Sequence, residues 1–102
     1  MNKTSERASR AFFNREKFKS SNTEVVNFAG ITSLYLFDNL IAEMDEAGRV
    51  IGTLAGWNTV TTRQRLNALG FRFHQIDWQP YLNGTPISTR KWYRLSDFSE
   101  VE

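Results

Sequence analysis

Few side chains in this 102-residue chain are suited to chemistry, and they do not sit close together. One histidine, His74, lies in the run Phe71-Arg72-Phe73-His74, and cysteine is absent. A metal site or an activated nucleophile needs two or more such groups converging. His74 therefore reads as a structural or surface residue, and neither a metal nor another cofactor is expected. The carboxylates Asp38, Glu43, Asp45 and Glu46 fall in or beside predicted hairpin turns, where such groups are ordinarily solvated. No glycines are spaced as GxGxxG or GxxxxGK[ST], so no known phosphate-cradling loop is present. Catalysis is not expected.

Binding chemistry has more support. Lys3, Arg7, Arg10, Arg15, Lys17 and Lys19 face only Glu6 and Glu16 within the first 20 residues, a surplus of four positive charges. The remaining seven cations and nine anions leave the rest of the chain at −2. A basic segment of this kind can neutralise nucleic-acid phosphates and release counterions. A second group, Thr61, Thr62, Arg63, Arg65 and Asn67, offers hydroxyl, guanidinium and amide donors on one short predicted helix. Such donors suit phosphate or base-edge contacts. Arg72 extends that surface, and Trp57 or Phe71 could stack on a base. DNA or RNA is thus one expected partner, bound by a patch rather than by the whole mildly acidic body. A host protein is the other, with Trp57 and Trp78, both near predicted turns, as its aromatic anchors.

The elements that must position these residues follow from periodicity. With 40% hydrophobic and 14% aromatic residues, a packed core is expected and wholesale disorder is not. In residues 1–23 the apolar positions do not hold a helical stripe, since a stripe from Ala8 reaches Arg15 and Lys19. That segment, ending in Ser20-Ser21-Asn22-Thr23, reads as a disordered basic arm and linker. Residues 24–102 read as a single small α+β domain. Val25 to Phe28, Leu34 to Phe37, Leu40 to Met44 and Arg49 to Leu54 are strand-like runs, separated by turns at Asp38-Asn39 and Asp45-Glu46-Ala47-Gly48. They form a mainly antiparallel meander. Thr61, three residues before Gln64, makes a capping box for a helix over residues 62–69 that stops at Gly70. Leu66 and Leu69 pack that helix across the sheet, leaving Arg63, Arg65 and Asn67 outward. Asn83-Gly84 is a strong signal for a further hairpin, and Pro80 and Pro86 keep its strands short.

Residues 32–70 carry a resemblance. LYLFDNLIAEMDEAGRV followed by AGWNTVTTRQRLNALG resembles a class of short tailed-bacteriophage proteins. The shared elements are Asn39-Leu40-Ile41-Ala42, Gly56-Trp57 and the helix Thr61-Thr62-Arg63-Gln64-Arg65-Leu66-Asn67, with Tyr81 to Gly84 further on. Asp38 departs from the glycine common at that turn. The resemblance implies a phage origin and carries no activity with it. No apolar run approaches the ~20 residues of a membrane span, and the opening MNKTSERASR lacks the apolar stretch of a secretion signal. A non-enzymatic phage accessory protein of the host cytoplasm is expected. It would act by binding nucleic acid, or alternatively a host protein, or serve as a small virion or assembly component.

Overall fold

The computed structural model describes residues 2–102. Helix α1 spans Lys3–Phe13, and the Asn2 side chain caps it by accepting from the Ser5 amide N–H at 2.8 Å. Ser5, Ala8, Ala11 and Phe12 form its buried stripe, with Phe12 wholly enclosed. This corrects the expectation of a disordered arm. The stripe begins at Ser5, a full turn before Ala8, and the helix ends at Phe13. Arg15 and Lys19 therefore never had to be apolar. The Cα radius of gyration of 12.6 Å matches the ~13 Å of a compact 100-residue chain, with no detached arm among the described residues.

The chain then turns into strands β1 (Phe18–Ser20), β2 (Thr23–Phe28), β3 (Ile31–Leu36), β4 (Asn39–Met44) and β5 (Val50–Gly52). Helix α2 (Val60–Leu69) follows, then β6 (Phe73–Ile76), β7 (Gln79–Leu82), β8 (Thr85–Pro86) and β9 (Tyr93–Arg94). The fold is α+β. An antiparallel six-stranded sheet has the order β1-β2-β3-β4-β5-β9, and a separate three-stranded sheet has the order β6-β7-β8. The meander is longer than expected because β1 lies in the segment read as linker.

Strand alternation sorts the larger sheet into two faces. In register, Phe18, Val25, Leu34, Ala42, Gly52 and Tyr93 run across all six strands. All but Phe18 are buried, and Phe18 packs on the core cluster. A parallel row of Val26, Ser33, Glu43, Ile51 and Arg94 lies on the opposite face and stays at least partly exposed. Gly52 in the buried row is required by packing, since a Cβ there would sit 2.8 Å from the Phe71 ring.

The turns obey local chemistry with one shift. Gly48 (φ 86°) closes the β4–β5 turn, and Asn83 (φ 51°) with Gly84 (φ 83°) closes β7–β8, both where glycine was expected to matter. The Asp45 carboxylate accepts from the Arg49 backbone N–H at 2.8 Å, which holds its pKa below the ordinary value. The β3–β4 turn is Phe37-Asp38 rather than Asp38-Asn39, with φ of 49° and 64°. A register shift between Leu34 and Tyr35 moves the pairing by one residue, so that Leu36 faces Asn39.

Helix α2 starts two residues earlier than the Thr61 box implies. Thr59 is its N-cap, accepting from the Thr62 N–H at 3.2 Å. The Gln64 side chain is engaged elsewhere, accepting from Asn2 Nδ2 at 2.8 Å. Gly70, at φ 120°, ends the helix as expected.

Candidate docking surface

Three loop tips meet at the N-terminal end of α2. Asn58, two residues before the helix, joins two of them. Its Nδ2 donates to Gln75 Oε1 at 2.9 Å and to the Trp78 carbonyl at 3.3 Å, tying the β6–β7 tip to the pre-helix loop. Its Oδ1 accepts from Arg63 Nη1 at 2.6 Å. Trp57 is anchored through its backbone N–H to the Leu54 carbonyl at 2.8 Å. The third tip is Phe37. Between Phe37 and Trp57 lies a cleft of about 280 Å³, lined also by Leu36, Ile41 and Thr59.

The side chains at these tips face solvent. Phe37 is 65% exposed, Trp57 56% and Trp78 84%. Val60 at the helix start and Ile76 beside the β6–β7 tip are also exposed. Of the seven large apolar residues exposed among the described residues, only Phe13 and Phe28 belong to other parts of the fold. Phe37 and Trp78 both hold positive φ, at 49° and 71°, in turn positions where Asn or Gly is usual. A bulky side chain in that region is strained.

The two aromatic residues picked from sequence, Trp57 and Trp78, are therefore brought together on this surface. Phe37 was missed because the one-residue turn shift made it look like the end of a strand. The only signal for it was the weak turn preference of Phe37-Asp38.

The residues picked for nucleic acid are dispersed instead. Arg65 is 7% exposed and points inward, opposite to the expected outward face. Its Nε donates to Thr23 Oγ1 at 2.9 Å and its Nη1 to Ser5 Oγ at 2.8 Å, and burial holds its pKa below the usual guanidinium range. Thr62 is buried, its hydroxyl 2.8 Å from that of Thr59. Asn67 bridges to β6, donating to the Phe73 carbonyl at 2.9 Å and accepting from the Phe73 N–H at 2.8 Å. Arg15 is a loop clamp, with Nη2 on the Asp45 carbonyl at 2.6 Å and Nη1 on the Gly30 carbonyl at 3.1 Å. Packing and backbone satisfaction thus claim four of the groups that the sequence left free. Arg63 stays half-exposed but is tied to Asn58.

Lys3, Arg7, Arg10, Lys17, Lys19 and Arg72 remain exposed. Lys3, Arg7 and Arg10 share a stripe of α1, and the Arg7 guanidinium lies 5.3 Å over the Phe18 ring of β1. Lys3, Arg7 and Arg10 thus line α1, whereas Lys17 and Lys19, which alternate with Phe18, lie on the other face of the edge strand. His74 is exposed and stacked on Tyr81, with ring centroids 5.2 Å apart.

A family model described as Kyanoviridae Gp96 protein matches residues 1–99. The chain belongs to that family. It is thus a phage protein, in agreement with the resemblance read from residues 32–70. The match to the Gp96 family also takes in the residues of α1, β1 and the smaller sheet, beyond the stretch that carried the resemblance. No curated protein and no solved structure matched the chain. Among the described residues of this Gp96 family member, no helix is long and apolar enough to cross a membrane.

Proposed function

We propose that this Gp96-family phage protein acts in the host cytoplasm by binding and not by catalysis, docking a protein partner on the Phe37–Trp57–Trp78 surface. The observation that carries the reading is the exposure of three large aromatic side chains at tips that meet around α2. Exposed clusters of this kind mark interaction sites, and aromatic anchors dominate interface energetics. Mixed charges nearby, Arg63 with Asp38 and Asp77, suit the polar rim of a protein interface better than a polyanion.

The test is affinity capture from host lysate with the wild-type chain and with Trp57→Ser and Trp78→Ser. Both tryptophans are exposed, so the fold is expected to survive, which thermal unfolding checks. A specific partner that loses about thirtyfold in affinity for either variant is expected. Equal capture by all three proteins would contradict the reading.

A second reading rests on the cations of α1 and of the β1 edge. Of the residues picked for nucleic acid, Lys3, Arg7, Arg10, Lys17, Lys19 and Arg72 stay exposed. It requires affinity for single-stranded DNA or RNA that falls steeply with salt.

A further inference from the structure

Strand β1 is the outer strand of the six-stranded sheet. Its hairpin with β2 is closed by the two residues Ser21 and Asn22, with Ser20 facing Thr23 across the turn. In a two-residue hairpin the closing pair exchanges both hydrogen bonds, and the next pair does not. That next pair is Lys19 with Glu24. The Lys19 N–H and C=O therefore point away from β2, toward the open edge. Among the described residues no turn or loop hydrogen bond uses the backbone of Lys17 or Lys19.

The same residue that offers a free backbone edge also carries a cation, and a second cation stands two positions away. Neither lysine is in an ion pair among the described residues; the two pairs present are Asp45–Arg49 and Lys91–Glu100. Glu24 faces Lys19 in register without pairing to it. On the other side of the strand, Phe18 lies beneath the Arg7 guanidinium. Against β2 the strand has no register shift and no proline, so of the usual edge-blocking devices it carries its three-residue length and its lysines, whose charge an acidic segment complements.

We propose that this edge accepts an extended acidic segment of another protein as an added strand, with acidic residues at every second position. Backbone pairing at Lys19 sets the register. Alternation then places the partner's residues opposite Lys19 and Lys17 on the same face as those lysines, where carboxylates complement them. The intervening residues fall on the face of Phe18 and Arg7. A second copy of this edge is rejected, because its own lysines would meet Lys17 and Lys19 with like charge. The aromatic tips play no part in this contact, so it stands or falls apart from the surface proposed above.

The test uses the full chain with three probes: an alternating Glu/Val peptide, its Lys/Val counterpart and single-stranded oligothymidylate. Backbone amide exchange and amide chemical shifts are followed by NMR. Binding of the acidic peptide alone is expected, with the Lys19 amide exchanging about tenfold more slowly. The exposed double variant Lys17→Glu/Lys19→Glu should lose at least about tenfold in affinity while keeping its spectrum otherwise intact. Binding of the acidic peptide without slowing at Lys19 would show attraction by charge alone and overturn the proposal. Preference for oligothymidylate would overturn it in favour of a nucleic-acid site, and no binding of any probe would overturn it outright.

Discussion

At Phe37 stability and exposure pull against each other. The residue holds a left-handed φ of 49°, yet most of its ring is in water. Asparagine fits such a turn position with less strain and loses little burial there. Phe37→Asn should therefore raise stability by about 1 kcal/mol, read as a higher denaturant midpoint with an unchanged slope. The same variant should weaken partner capture. A loss of stability would mean that the ring supports the fold through the cleft it shares with Trp57, and would remove the strain argument. Trp78, with φ of 71° at the other tip, poses the same conflict. Strain retained at exposed tips belongs to function more readily than to folding.

At the scale of elements, Arg65 is the clamp. One guanidinium joins α2 to Thr23 at the start of β2 and to Ser5 in α1. It also reaches Asn22 Oδ1 at 3.5 Å and Asn2 Oδ1 at 3.4 Å. Removing it leaves buried hydroxyls short of donors. Arg65→Ala should cost roughly 2–3 kcal/mol, a fall in Tm of about 10 °C or more for a domain of this size. Arg65→Lys should recover only part of that loss, because an ammonium cannot reproduce the planar fork. A near-neutral Arg65→Ala would place the side chain back in solvent, as the sequence suggests. That misreading has a physical origin. Leu66 and Leu69 correctly mark the buried stripe of α2, but a buried arginine satisfied by neutral oxygens gives no periodic signal. Those oxygens come from residues more than 40 positions away. Gly70, Asn83-Gly84 and the β4–β5 turn were legible because a single residue type dictates each. Helix α1 was not legible, since its buried face is built from Ser5 and two alanines and only Phe12 is large.

Across the whole molecule, two chemically distinct regions emerge on one α+β frame. The aromatic tips gather at the start of α2, while exposed Lys3, Arg7 and Arg10 line α1 and Lys17 and Lys19 mark the β1 edge. The sequence already held both sets of residues, with Trp57 and Trp78 named as anchors and Lys3, Arg7, Arg10, Lys17 and Lys19 as a basic group. It held them in the wrong geometry, a flexible arm and an outward-facing helix, because long-range packing decides which polar groups stay free. Membership of the Gp96 family makes this a phage protein, and the aromatic surface is the proposed docking site. The most direct measurement is site-specific photo-cross-linking in infected host cells, with the cross-linking residue placed in turn at Trp57, Trp78 and Phe28. Phe28 is an exposed aromatic outside the three tips and serves as the control. One protein cross-linked from both Trp57 and Trp78 and absent from Phe28 is expected. The same product from all three positions, or none from Trp57 and Trp78, would contradict the proposed docking site.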